Sequence, residues 1–320
     1  MAMRAAIVRW TGRGDASDLR SSVRHVLSER GIRAEVKAVG RSLVVSGVEP
    51  VRVCSIFEKM PGVAWTAAGF MAGAGEMAEA SAELASRYLR RGTRFSVLAD
   101  VTGGSASDLA GAVISAMLER VKGARASGAS AAVRFRAAMD GAKGVVGAEA
   151  SEGPGGAPMG GKTVACLISG GVHSAVLAWS ALLLGFRVRM VHASSGEESI
   201  YAAARLYSEF SNRADPRGLT LTVLEGGPAG SVLSRFVSEC RGPVYAGFTA
   251  GRPAPEGLDG IVRSPLFMLP EEEFEARFAT LGVKGLDELT GWEDIKRGGY
   301  AERSFGGKIA DVSGVLDGLG

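Results

Sequence analysis

Cysteine and histidine are scarce in this 320-residue chain, with three of each. Cys54, Cys166 and Cys240 lie far apart and form no C-x-x-C pair, which excludes a disulfide framework and a thiolate zinc site; no metal site is expected. No window approaches the roughly 20 uninterrupted apolar residues of a membrane span. The N-terminal "MAMRAAIVRWTGRG" has no apolar run fit for a signal peptide, so the expectation is a cytoplasmic protein with no membrane partner. Aromatic residues make up 7%, and Trp10, Trp65, Trp179 and Trp292 are scattered in the manner of packing residues rather than gathered into a stacking platform. Strong net charge is missing as well, and +3 is too mild to define a partner.

What the chain has in plenty is glycine, 46 residues, which is about twice the ordinary share. Its 46% hydrophobic and 22% charged residues are ordinary for folded domains. The charge is unevenly spread: residues 1–160 hold 21 Lys and Arg against 15 Asp and Glu, while residues 161–320 hold 16 against 19. A polyanionic partner would therefore dock on the first half.

The first 70 residues alternate legibly. "AAIVRW" reads as a strand, "SDLRSSVRHVLSERG" as an amphipathic helix with Ser17 as N-cap and Gly31 as its stop, and "RAEVKAVG" with "SLVVSGVE" as two strands around a Gly40-Arg41 turn. "PVRVCSIFEKMPG" reads as a second helix with Pro50 in its first turn, and "VAWTAAGF" as a last strand. The order β-α-β-β-α-β is the ferredoxin-like split unit, expected over residues 1–70. Residues 71–158 predict a second α/β unit of helix, strand, helix and two strands around Asp140-Gly141, followed by the Gly- and Pro-rich "SEGPGGAPMGG", a linker or an ordered loop. From 159 to 320 the pattern changes to strands alternating with helices, beginning with the continuous apolar run "TVACLIS". That predicts a doubly wound parallel sheet with ligands beyond the carboxyl ends of its strands. The fold class is thus α/β and α+β, in several domains.

Two glycine-rich strings compete for the role of phosphate loop. Gly156 to Thr163 spells the Walker A pattern, but such a loop needs a helix after its lysine, and "TVACLIS" is too short and too rich in β-formers to be one. "SGGVHS", Ser169 to Ser174, has a buried strand before it and a helix after it, so unpaired helix N–H groups can face an anion.

These residues resemble a family. "EGPGGAPMGGKTVACLISGGVHSAV" is similar to the junction of the tRNA 4-thiouridine synthetases (tRNA sulfurtransferases), in which a G-x-G-G-h-P-h-G-x-x-G-K segment leads into S-G-G-h-D-S. "VRVCSIFEKMPGV" resembles the family's helix and I-P-G-I turn, and "VRSPL" followed by "EEEFEARFATLGV" resembles its R-P-L segment and the helix after it. The resemblance implies an N-terminal ferredoxin-like domain at 1–70, a THUMP RNA-binding domain at 71–158 and a PP-loop ATP pyrophosphatase domain of the adenine nucleotide alpha hydrolase kind at 159–320. It implies a reaction as well: tRNA is bound, a uridine oxygen near position eight is adenylated by ATP with release of pyrophosphate, and a persulfide sulfur displaces AMP. Carried over, Ser169, Gly170, Gly171, Val172, His173 and Ser174 would hold the polyphosphate of ATP. Met190, Val191, His192 and Ala193 would lie along the adenine, and Gly247 would match the glycine of a T-G-E segment. Arg90, Arg91, Arg94, Arg134, Arg136 and Lys143 are the RNA-binding candidates, with Arg134 and Arg136 on one face of a strand.

The departures are specific. His173 stands where the family has aspartate, and imidazole replaces a carboxylate poorly as a magnesium ligand, which weakens the case for Mg2+. Phe248 stands where the glutamate of T-G-E would be, no cysteine follows the R-P-L segment, and "LADVTGGSASDL" carries Asp100 where the THUMP pattern has a basic K-R-x-G. No catalytic residue can be named, and Cys240 reads as a small core residue rather than a persulfide carrier. Three readings follow: a divergent tRNA-thiolating enzyme using ATP and a sulfur-donor protein, a degenerate paralogue that binds tRNA and ATP without turnover, and a nucleotide sensor with no RNA role. A homodimer is left open.

Overall fold

The computed structural model describes residues 2–128, 130–169, 172–194, 196–225, 229–247, 262–265 and 309–311. The chain divides into two compact units, Met1–Pro158 and Met159–Gly320. No helix among the described residues is long and apolar enough to cross a membrane.

The first unit opens with β1 (Met3–Trp10), α1 (Ala16–Glu29), β2 (Glu35–Val39), β3 (Ser42–Ser46), α2 (Pro50–Phe57) and β4 (Val63–Gly73), the expected β-α-β-β-α-β order. The cap of α1 differs from expectation: Asp15, not Ser17, holds the N-cap, its carboxylate accepting from the Ser17 N–H at 2.8 Å. Both residue types cap well, and the shorter turn from Asp15 starts the helix one residue after it. Gly31, with φ of 65°, ends the helix as read, and Ile32 N–H returns to the Leu27 carbonyl at 2.8 Å.

The unit continues with α3 (Met77–Tyr88), β5 (Arg94–Thr102), α4 (Ala106–Arg120), a two-residue β6 (Arg125–Ala126), β7 (Val133–Asp140) and β8 (Lys143–Glu152). All eight strands form one sheet in the order β2-β3-β1-β4-β8-β7-β5-β6. The β4–β8 pairing joins the two halves, so residues 1–70 and 71–158 share a single sheet. "SEGPGGAPMGG" begins as ordered chain: Gly153 and Gly155 N–H bond the carbonyls of Ala64 and Val63, both at 2.9 Å, and Thr11 Oγ1 donates to the Gly156 carbonyl at 2.7 Å.

The helices pack on one face. Leu19, Val23, Leu27, Val53 and Phe57 meet Ala6, Val8 and Val45, and Leu84 and Met117 meet Phe95, Phe135 and Val146. Fully buried side chains such as Phe57, Phe95 and Phe135 each stabilise the fold by about 1.5–3 kcal/mol. The opposite face has no helix over it among the described residues, yet Ala5, Ile7, Val44, Ala67, Ala138 and Val145 are buried there. The sheet curls on itself to cover them: Gly40 N–H, at the β2–β3 turn, donates to Asp140 Oδ2 of β7 at 3.0 Å. On the inner face Gly147 lets the twisted strands close up, since a Cβ there would stand 2.9 Å from both the Ala67 Cβ and the Ile7 Cδ1.

The second unit has β9 (Thr163–Leu167), α5 (Val172–Leu183), β10 (Arg187–Ala193), α6 (Glu197–Ser211), β11 (Leu219–Leu224), α7 (Ala229–Glu239), β12 (Val244–Ala246) and β13 (Ile309–Asp311). The sheet order is β12-β9-β10-β11-β13, parallel through its first four strands, with β13 antiparallel at the edge. α5 and α6 cover one face around Trp179, Met190 and Phe210, and α7 covers the other with Phe236 and Val237. The doubly wound parallel sheet is as expected; the antiparallel β13 was not.

Candidate functional site

In the second unit the chain moves outward from β9 to β10 to β11, then returns to lay β12 on the other side of β9. The crevice between β9 and β12, beyond their carboxyl ends, is therefore the topological switch point where open α/β sheets take ligands. β9 pairs in parallel with β10 directly after Lys162. No helix follows the Walker string, so that string has no helix N-terminus to offer a phosphate.

"SGGVHS" sits at the switch point. Ser169 is exposed just past β9, Gly170 and Gly171 lie outside the described residues, and α5 begins at Val172. Ser174, in the first turn of α5, accepts hydrogen bonds on Oγ from the Ser169 N–H at 3.3 Å and the Ser169 hydroxyl at 3.4 Å, tying the two ends of the loop together. His173 is buried, at 8% exposure, and no acidic residue stands in this turn. Gly247, just after β12, backs onto the same turn. A Cβ there would lie 2.7 Å from the His173 carbonyl carbon and 2.9 Å from the Ser174 nitrogen, so glycine is required by close approach of the two backbones. Val262–Pro265, from the "VRSPL" segment, runs along the same edge, with Arg263 N–H bonded to the Val244 carbonyl at 2.9 Å.

Met190 and Val191 are fully buried in β10, and Ala193 is half-buried at its end. Alternation puts His192 on the α5 side of the sheet with Met190. Its ring is 4% exposed and its Nδ1 lies 2.8 Å from the Ile168 carbonyl, the last residue before the loop. A carbonyl only accepts, so Nδ1 carries the hydrogen and Nε2 presents a lone pair. Nε2 is buried with no hydrogen-bond partner among the described residues. Burial lowers the pKa of His192 and the Ile168 hydrogen bond opposes it only in part, which keeps the ring neutral. A neutral acceptor suits a hydroxyl or amino group, such as a nucleoside carries, and does not suit an ionised phosphate.

The RNA candidates fall in the first unit. β5 and β7 pair in parallel with Ser96 beside Arg134 and Leu98 beside Arg136, and Val145 of β8 pairs with Ala138. With Phe95 and Phe135 turned to the helices, Arg94, Arg134, Arg136 and Lys143 share the helix-free face. Arg90 and Arg91 are exposed in the turn before β5. Arg134 pairs with Glu152 at 3.4 Å, and the Arg136 guanidinium lies 5.2 Å from the centre of the Trp65 ring. Two further arginines, not among the RNA candidates read from the sequence, join this face from the other half of the sheet. Arg9 of β1 is 6% exposed, donates to Ser42 Oγ at 3.3 Å and forms an ion pair with Asp100, and Arg41 stands on the turn after β2. Burial, then the nearby charges of Arg41 and Arg136, push the Arg9 guanidinium down to about 10. A charged residue interrupting the apolar "AAIVRW" was the signal available in the sequence.

The thiols are poorly placed for chemistry. Cys54 and Cys166 are buried, and desolvation pushes them up to about 11 and about 12; Cys240 is half-buried against the α7 face. Among the described residues no three His, Cys, Asp or Glu side chains gather as a metal site. Magnesium calls for hard oxygen ligands, and the opening turn of α5 offers a serine hydroxyl, imidazole and backbone but no carboxylate.

No protein-family model matches the chain, and no curated protein matches it. Solved structures do. PH1313 from Pyrococcus horikoshii is similar at a TM-score of 0.71 and 16% identity, over 88% of this chain and 100% of that one. A 4-thiouridine synthetase in complex with RNA and bound ATP is similar at a TM-score of 0.66 and 17% identity, over 99% of this chain and 94% of that one. Both are likenesses of fold, and both extend through the two units described above.

Proposed function

We propose that this chain is a tRNA-modification protein of the 4-thiouridine synthetase kind, taking ATP at the switch-point rim of its parallel sheet and tRNA on the basic face of its curled sheet. The observation that carries the reading is the rim itself: Ser169 fastened to Ser174 in the first turn of α5, that turn packed tightly against Gly247, and a buried imidazole acceptor at His192 beside it. The shared fold with a synthetase bound to RNA and ATP supports the choice of ligands.

In this reading the N–H groups opening α5 and the hydroxyls of Ser169 and Ser174 hold the polyphosphate. Positive helix-end dipoles meet negative oxygens there without a side-chain cation. Met190 to Ala193 flank the adenine, and His192 Nε2 accepts from a ribose hydroxyl or the adenine amino group. The uridine oxygen attacks the α-phosphorus, pyrophosphate leaves, and a sulfur nucleophile then displaces AMP. Burial keeps Cys54 and Cys166 protonated, so in this reading neither is the sulfur nucleophile and a separate donor protein supplies it.

A second reading has its own observation. His173 occupies the place of the aspartate that the resemblance expects, and the opening turn of α5 carries no carboxylate. A protein that binds tRNA and ATP without turnover meets that arrangement. Purified chain with ATP, magnesium and unmodified tRNA separates the readings. Release of pyrophosphate is the expected result for the enzyme, and tRNA retention without release leaves the binding protein. ATP binding with no tRNA retention at moderate salt overturns the RNA assignment.

A further inference from the structure

The curled sheet of the first unit brings together groups that sequence order keeps far apart. β1 and β5 are separated by β4, β8 and β7. In a flat sheet such strands stand about 19 Å apart, farther than an arginine and an aspartate reach. Yet Arg9 of β1 pairs with Asp100 of β5. Arg136, braced by Trp65, pairs with Leu98 two residues before Asp100 on β5, and the Gly40-Arg41 turn reaches Thr102 two residues after it, a Cβ on Gly40 lying 3.6 Å from Thr102 Oγ1. Three arginines thus come to one part of the curl, with Asp100 paired to the buried one. Asp140 is engaged separately, accepting from the Gly40 N–H.

The burial of the pair is lopsided. The Arg9 side chain is 8% exposed and the Asp100 side chain 53%, so the carboxylate is the outer member, between the buried guanidinium and solvent. Arg41 is exposed and Arg136 half-buried beside it. A buried guanidinium must keep an anionic partner, because leaving it unpaired costs far more than the pair itself contributes. A phosphate can take the carboxylate's place: it offers an anionic oxygen to Arg9 Nη2, while Nη1 keeps Ser42 Oγ, and it meets the two flanking cations as well.

We infer that Arg9, Arg41 and Arg136 form a socket for one phosphodiester of a bound RNA, and that Asp100 is the built-in counter-ion which that phosphate displaces. The inference rests on the tRNA reading above and deepens it, placing one contact at the seam between the two halves of the sheet. Asp100 keeps Arg9 satisfied in free protein and sets a cost that only a well-placed phosphate meets. Weak polyanions are thereby discriminated against on a face that would otherwise bind them indiscriminately.

The test is retention of an unmodified tRNA transcript by the full-length chain over a salt series, for wild type, Asp100→Asn and Arg41→Gln. Asp100→Asn is expected to tighten binding about tenfold by removing a like charge from the phosphate's position. Arg41→Gln is expected to weaken it and to reduce the salt slope by about one counterion. If Asp100→Asn stays folded and binds no better than wild type, Asp100 is a structural partner of Arg9 and the inference falls, while the tRNA reading stands on wild-type binding. If Asp100→Asn melts early because Arg9 is left unpaired, Arg41→Gln decides, and unchanged affinity and slope overturn the inference. Failure of wild type and of Asp100→Asn alike to retain tRNA overturns both readings.

Discussion

The two sheets of this protein carry opposite kinds of candidate anion site. In the first unit the cations are side chains, Arg9, Arg41, Arg94, Arg134 and Arg136, gathered on the inner face of a curled sheet and partly neutralised by Asp100 and Glu152. In the second unit the rim has backbone N–H groups, two serine hydroxyls and two buried imidazoles, with no cation and no carboxylate in the opening turn of α5. The first arrangement is exchangeable and sensitive to salt, as suits a long polyanion held at several points. The second is fixed by strand geometry and packing, as suits one small ligand in one pose. In the proposed reading, surface charge selects a partner by its size, whereas backbone geometry selects by shape.

Substituting the backbone side of that contrast should do most damage. Gly247→Val pushes a side chain into the first turn of α5, where even a Cβ would stand 2.7 Å from backbone carbon. We expect at least a hundredfold loss of ATP binding by isothermal titration and about 1–3 kcal/mol of lost stability by urea unfolding. Unchanged ATP affinity in a folded Gly247→Val protein would dissolve the distinction between the two sheets.

His173→Asp sharpens the comparison from the other direction, by placing a carboxylate where the rim has none. Without divalent cation the new charge repels polyphosphate, so ATP affinity in EDTA should fall about tenfold and recover on adding magnesium. Equal affinities with and without magnesium would show that residue 173 does not face the phosphates.

His192→Phe removes the lone acceptor while keeping the ring volume. A loss of about 1–2 kcal/mol in ATP binding is expected, with less loss for inorganic triphosphate, which carries no nucleoside. The same residue sets a pH dependence. Its folded pKa lies below the ordinary 6.5, so the unfolded state binds more protons between the two values. Its contribution is fully present above 6.5 and is lost as pH falls through the window below. Urea midpoints at pH 7.5 and pH 5.5 should differ more in wild type than in His192→Phe.

The smallest effect belongs to the N-cap of α1. Asp15→Ala removes the carboxylate that accepts from the Ser17 N–H and should lower Tm by a few degrees while leaving ATP and tRNA binding unchanged. Movement of either affinity would mean that α1 is coupled to a binding surface.

Local grammar made much of this fold readable. Gly31, the Gly40-Arg41 turn and Pro50 act through backbone dihedrals within a few residues, so the β-α-β-β-α-β order followed from them without reference to packing. The same holds for rejecting the Walker string, since β-rich "TVACLIS" cannot supply a helix. The Asp15 cap was missed because two capping residues stand two positions apart, and only the geometry of the turn chooses between them. Arg9 with Asp100, and Gly247 with His173, were out of reach because each pair meets across strands or loops distant in sequence.

Order and type of elements, the bias of positive charge to the first half and the candidate loop at Ser169 to Ser174 were properties of the chain read alone, because propensity, turn chemistry and composition are local. Tertiary structure alone decided that two halves of the first unit share one curled sheet, that β12 returns beside β9 to make a switch point, and that β13 closes the far edge antiparallel. Strand pairing is a contest among many partners of similar local character, and its outcome depends on burial and curvature summed over the whole sheet. Charge and backbone acquire their uses here only after that contest is settled.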